Sequence, residues 1–94
     1  MITIKLTFFA TLQREFGEVK SIILKEPMEF RQILNHFVSK HGEIGKSFFL
    51  VNEELKKEFI VLINGRNILA LDGMDTKINQ NCEVSFFPKI AGGL

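Results

Sequence analysis

The chain has no tryptophan, no tyrosine and one cysteine, with only two histidines and two prolines among its 94 residues. Each scarcity removes a class of protein. Cys82 has no partner for an internal disulfide, and one thiol with His36 and His41 matches no zinc-ligand spacing. Twelve Lys and Arg against eleven Asp and Glu leave a charge of +1, with the signs interspersed, so no basic field is available to grip a phosphate backbone. Nucleic acid is not an expected partner. The longest uninterrupted apolar run, Phe59 to Ile63, falls far short of the roughly 20 residues of a membrane helix. Met1-Ile2-Thr3-Ile4-Lys5 has no charged-then-apolar signal layout. The expectation is a cytoplasmic protein that holds no metal and does not enter a membrane.

What is present is a core. Hydrophobic residues make up 46% of the chain and ten are Phe, enough for one domain without metal or disulfide staples. Ile2, Ile4, Leu6 and Phe8 alternate with Thr3, Lys5, Thr7 and Phe9, the period of a strand with one buried face. A polar stretch from Ala10 to Glu18 separates it from a second β-rich run, Val19 to Leu24, close enough for an antiparallel pair. From Glu29 the period changes: Phe30, Ile33, Leu34, Phe37 and Val38 form one helical stripe, with Gly42 as a natural stop and no Ser, Thr, Asp or Asn at the start.

Residues 43 to 58 read as a long connection with at most one helical turn. Phe59 to Ile63 reads as a buried strand, and Asn64-Gly65 as a type I′ hairpin turn leading to a return strand over Asn67 to Leu71. Turn clusters at Asp72-Gly73 and Asn79-Gln80-Asn81 bracket a helical turn at Asp75 to Ile78, before a closing strand from Glu83 to Phe87. The order defines one α+β domain over residues 1–88 with a tail over 89–94. If the first and last strands lie parallel and adjacent, the single main helix covers one face of the sheet, which is the β-grasp arrangement.

Few residues suggest chemistry inside the domain. Gly45-Lys46-Ser47 resembles the end of a phosphate-binding loop, but Lys40 stands where that loop needs its first glycine, and the segment follows a helix rather than a strand. His36 and His41 fall on different helix faces, Cys82 has no basic neighbours in sequence, and Glu53 with Lys57 reads as a solvated pair. No nucleophile set or paired-carboxylate signature is visible, so no catalytic residue is assigned and the chain is not expected to be an enzyme.

The tail is different. Lys89-Ile90-Ala91-Gly92-Gly93-Leu94 follows Pro88, and fixing each residue costs roughly 1 to 2 kcal/mol, with no side chains at the glycines to offset it. A flexible tail is expected. Two glycines form the narrowest peptide, able to enter a tight channel while the domain stays outside. A frayed end of no consequence is the plain alternative.

Phe9-Ala10-Thr11-Leu12-Gln13-Arg14-Glu15 with Gly17, Ile63-Asn64-Gly65-Arg66, Leu71-Asp72-Gly73-Met74-Asp75-Thr76, and Phe86-Phe87-Pro88 running into Ile90-Ala91-Gly92-Gly93 occur in an order that resembles the MoaD/ThiS family of ubiquitin-like sulfur carriers, in its longer MoaD-like form. The resemblance implies the β-grasp fold and a chemistry that lives on the tail. It implies that the Gly93 carboxylate is adenylated by a separate ATP-using activating enzyme, then made a thiocarboxylate with sulfur from a donor such as a cysteine desulfurase. It implies delivery of that sulfur to a pterin precursor on the large subunit of molybdopterin synthase, or a tungstopterin equivalent. ATP belongs to the partner, and no cofactor is bound by the carrier.

Two departures bear on this. Leu94 occupies the place of the reactive carboxylate, so the expectation is that a peptidase removes Leu94 first, the alternative being a carrier that has lost its chemistry. Lys89 stands where many relatives have a second proline, and Asn81-Cys82 replaces an acidic turn residue. Gly92 and Ala91 are expected to thread into partners. Phe9, Phe87 and Pro88, with Lys89 and Ile90, are expected to form an apolar docking patch, because strand alternation turns Phe9 and Phe87 away from the helix at the end where the tail leaves. A connection that folds over and buries them is the alternative. The same tail would serve a protein modifier joined to lysines, a carrier for thiamine or cysteine synthesis, or a noncovalent interaction module.

Overall fold

The structure, a computed structural model, describes residues 1–10, 12–40, 50–51 and 54–88. Strand β1 (Ile2–Phe8) buries Ile4, Leu6 and Phe8 on one side, as its alternation requires. It pairs antiparallel with β2 (Val19–Leu24), from Ile2 opposite Leu24 to Thr7 opposite Val19. The stretch between them is not simply polar. It holds a short helix, α1 (Leu12–Phe16), whose Leu12 and Phe16 are buried one turn apart on one face. The entry turn places Ala10 at φ 56°, and the exit uses Gly17 at φ 84°, a conformation that costs a Cβ-bearing residue about 1–2 kcal/mol.

Helix α2 (Phe30–Ser39) buries the five apolar positions the stripe predicts. Its start is tied without a Ser, Thr, Asp or Asn cap: Glu29 N–H donates to Gln32 Oε1 at 3.0 Å, and Phe30 N–H donates to Thr76 O at 2.8 Å. That second bond belongs to a small ladder of β3 (Met28–Glu29) and β8 (Lys77–Ile78). The helical turn expected over Asp75 to Ile78 is therefore a 3₁₀ turn at Gly73–Asp75 followed by a strand pair. Gly42, His41 and Gly45-Lys46-Ser47 lie outside the described residues, as does Glu53 of the Glu53/Lys57 pair.

Within the long connection, β4 (Leu50–Val51) and β5 (Glu54–Leu55) pair antiparallel. Arg31 of α2 bonds the carboxylates of Glu54 and Asp75, joining helix, connection and 3₁₀ turn. Strand β6 (Phe59–Ile63) turns through Asn64 (φ 49°) and Gly65 (φ 84°) into β7 (Arg66–Asn67). The return strand is only two residues long and not five. Asn67 Oδ1 accepts from Leu69 N–H at 2.9 Å and turns the chain into a 3₁₀ turn at Ile68–Ala70, a local bond that competes with the ladder.

Strand β9 (Cys82–Pro88) enters the middle of the sheet, parallel to β1 and antiparallel to β6, giving the order β2-β1-β9-β6-β7. One face packs against α2 and α1. At its centre Phe8, fully buried, stacks on Phe86 at 5.0 Å between ring centroids and meets Phe37 at 5.3 Å and Phe16 at 5.5 Å. Burying one such ring contributes about 2–3 kcal/mol. This is the expected α+β, β-grasp architecture, and the parallel β1–β9 pairing that periodicity left open is present.

Candidate functional site

The face of the sheet turned away from α2 carries the residues that could act. Alternation along β1 and β9 sends Lys5, Thr7 and Phe9 to this face from one strand, and Glu83, Ser85 and Phe87 from the other. Because Phe8 stands opposite Phe86, Phe9 and Phe87 meet at the same end, held by a bond from Phe9 N–H to Phe86 O at 3.1 Å. Their rings lie 4.3 Å apart between centroids and within 7° of parallel. On the other side of β9, Ile60 faces Phe87 and Leu62 faces Ser85. A half-buried apolar row of Phe9, Phe87 and Ile60 therefore crosses three strands, with Leu62 behind it.

Phe59 to Ile63 was expected to be buried throughout. Only Val61 and Ile63 are, since one face of β6 alone packs into the core cluster. Ile60 and Leu62 thus join the site although sequence reading passed over them. The signal that finds them is the two-residue Asn64-Gly65 turn, which fixes the register of β6 and with it the parity of every β6 side chain.

Pro88 is opposite Phe59 at the end of β9, so alternation sets it on the face of Phe86 and not beside Phe9 and Phe87 as the sequence suggests, and the covalent chain to Gly93 starts from this corner. Lys89, Ile90, Ala91, Gly92, Gly93 and Leu94 lie outside the described residues. Farther along the face the surface becomes polar. Thr7 Oγ1 donates to Glu83 Oε2 at 3.0 Å, and Lys5 Nζ lies 3.7 Å from the same oxygen. The turn opposite is fastened twice, since Asn64 N–H donates to Glu83 O at 2.8 Å and Asn64 Oδ1 accepts from Glu83 N–H at 2.9 Å.

Cys82 is half-buried at the start of β9, and burial pushes its thiol above the ordinary range, opposite to what a nucleophile needs. His36 is exposed on α2. Among the described residues no group of His, Cys, Asp and Glu is arranged to hold a metal ion, and no helix is long and apolar enough to cross a membrane.

A mixed five-stranded sheet with one main helix on one face and its last strand in the middle defines a ubiquitin-like β-grasp protein. The chain belongs to the ThiS family, whose profile matches residues 6–93 and so runs through both glycines of the tail. Among similar proteins, small archaeal modifier protein 3 of Haloferax volcanii is 33% identical over 93 residues, covering 96% of this chain and 98% of that one. The solution structure of small archaeal modifier protein 1 of Methanosarcina acetivorans superposes with a TM-score of 0.77 at 24% identity, covering 99% and 98% of the two chains. A chain in the BexX/CysO complex of Amycolatopsis orientalis does so with a TM-score of 0.72 at 23% identity, covering 96% and 99%. The protein is thus a ubiquitin-fold member of the carrier and modifier class.

Proposed function

We propose that the chain is a sulfur carrier whose Gly93 carboxylate, freed by removal of Leu94, is adenylated and thiocarboxylated for the synthesis of molybdopterin or its tungsten equivalent. The observation that supports this reading is the ThiS match running to Gly93, in a sheet whose Phe9/Phe87 stack sits where the chain to Gly93 begins. A peptide-bonded Gly93 has no carboxylate, which is why a peptidase must act first. The freed carboxylate oxygen then attacks the α-phosphorus of ATP held by an activating enzyme, and pyrophosphate leaves. Adenylate is a good leaving group, so a persulfide sulfur from a donor such as a cysteine desulfurase replaces AMP at the carbonyl carbon, and a thiol releases the thiocarboxylate. The larger synthase subunit supplies the groups that transfer sulfur to the pterin. The domain contributes docking through Phe9 and Phe87, with Pro88, Lys89 and Ile90 forming the corner from which Ala91 and Gly92 thread into the partner. All of this takes place in the cytoplasm.

Intact mass measured after incubating a chain ending at Gly93 with ATP, an activating enzyme and a persulfide donor tests the reading. Exchange of one oxygen for sulfur is expected, and an unchanged mass counts against it.

A second reading is favoured by the likeness to small archaeal modifier protein 3 over nearly the whole chain. In it the same acyl-adenylate passes Gly93 to lysine amines of other proteins. A ladder of covalent conjugates in native lysate marks that outcome, whereas one free species with a sulfur-bearing terminus marks transport. Sulfur delivery to thiamine or cysteine synthesis would leave the carrier chemistry unchanged and alter only the acceptor.

A further inference from the structure

Pro88 ends one of the two ladders that hold β9 and spares the other. Phe9 N–H donates to Phe86 O, so the next β9 donor toward β1 would be that of residue 88, and proline has no N–H. The ladder with β1 stops there. On the other side Asn64 N–H donates to Glu83 O, which makes Leu62 with Ser85 and Ile60 with Phe87 the bonded pairs of the antiparallel ladder. Phe59 and Pro88 form a non-bonded pair, so the missing N–H breaks no bond with β6. Past Pro88 the chain can follow β6 and not β1.

One more pair in that register would set residue 89 against residue 58, an opposite charge against an opposite charge. Glu58 is exposed directly before β6, in the turn closed by Phe59 N–H donating to Lys56 O at 3.2 Å. It makes no ion pair among the described residues. The residue it would meet is Lys89. Opposite charges directly across a ladder attract, and like charges there repel, so the pair favours this register over a chain that leaves the sheet at Pro88.

The residue after Lys89 is apolar, and an apolar place lies beside it. Strand β7 stops at Asn67, where the bond from Leu69 N–H turns the chain, and next to the uncovered part of β6 runs a groove of roughly 430 Å³. Leu55, Phe59, Val61, Ile68 and Leu69 line it, and Leu69 is 83% exposed. Phe59 shares a face with Pro88, and strand alternation returns residue 90 to that face. Ile90 is tethered two residues from the cross-strand neighbour of Phe59. A side chain tethered so closely competes at an effective concentration on the order of millimolar, ahead of a free partner.

We infer that Lys89 and Ile90 anchor the root of the tail on β6: Lys89 pairs with Glu58, and Ile90 covers the Leu55 and Phe59 end of the groove. Only Ala91, Gly92 and Gly93 are then left to thread. Glu58 acts on Gly93 by fixing where the thread starts, at the corner that also carries the Phe9/Phe87 stack. The use of the thread rests on the carrier reading, whereas the anchor is a contact within the chain that stands or falls separately.

Backbone nitrogen-15 relaxation of the full chain tests the anchor with no partner or ATP present. Order parameters of about 0.85 are expected at Lys89 and Ile90, falling below about 0.6 from Gly92 onward. Glu58→Lys should lower the values at Lys89 and Ile90, Lys89→Glu should do the same, and the two changes together should restore them. Ile90→Ser should shift the resonances of Leu55, Phe59 and Leu69. Mobile Lys89 and Ile90 in the full chain, a charge swap that restores nothing, or Ile90→Ser shifts that spare the groove would each overturn the inference. So would order at Ile90 that is lost on dilution, the mark of a second copy's tail in the groove. The carrier reading is measured apart from this, by the mass of the chain ending at Gly93. Sulfur exchange with a mobile root contradicts the anchor alone, and an ordered root without exchange contradicts the carrier reading alone.

Discussion

Phe9 and Phe87 stack at 4.3 Å and 7° although 78 positions separate them in the chain, because the parallel pairing of β1 with β9 sets Phe8 against Phe86 and carries the next residue of each strand to the opposite face. The pair joins the exit of the first strand to the corner from which the tail begins. An offset aromatic stack contributes about 0.5–1.5 kcal/mol beyond the area it buries. In a double-mutant cycle of Phe9→Ala and Phe87→Ala, urea denaturation should give a coupling energy within that range.

Phe87→Asp places a carboxylate on this half-buried row without entering the core. The fold should persist, with native amide dispersion, while binding to an activating enzyme or synthase subunit weakens at least tenfold by calorimetry, a loss of about 1.4 kcal/mol or more. Unchanged binding would remove this face from the account.

The opposite face should respond in the other way. Phe8 is fully buried among Phe16, Phe37 and Phe86, so Phe8→Ala should cost about 3–5 kcal/mol by chemical denaturation, a large part of the stability of a domain this small.

At the hairpin, Gly65 has φ 84°, so Gly65→Ala should cost about 1–2 kcal/mol although its Cβ would meet nothing within 4 Å. Thermal unfolding checks this, and a loss-free variant would show that the turn readjusts.

Cys82 supplies a pH dependence. Burial raises its folded pKa above the unfolded value of about 8.5, so the folded state holds the proton more tightly. The associated stability is fully present below the unfolded value and is lost as pH rises through the folded one. Alkylation by iodoacetamide should therefore reach half its limiting rate at a higher pH in the folded protein than in urea.

The parts of the fold legible in sequence are those with a long enough period. Ile2 to Phe8 and Phe30 to Val38 each repeat several times, and the structure has a strand and a helix there. Leu12 and Phe16 repeat once, so α1 could not be told from a polar stretch. The pairs β3–β8 and β4–β5 are two residues long on each side and depend on partners distant in the chain, which no local pattern encodes. At Asn67 a side-chain bond to Leu69 overrode a run of apolar residues that reads as strand. Of the site, Phe9 and Phe87 followed from alternation, while Ile60 and Leu62 required the register of β6.

The central claim is that Gly93 is the reactive residue and that Leu94 blocks it. The most direct measurement is the intact mass of two chains, one ending at Leu94 and one at Gly93, after incubation with ATP and an activating enzyme in the presence of a sulfur donor. The account predicts that only the chain ending at Gly93 forms the acyl-adenylate and its sulfur product. Activation of both chains, or of neither by an enzyme proven active on another carrier, would contradict it.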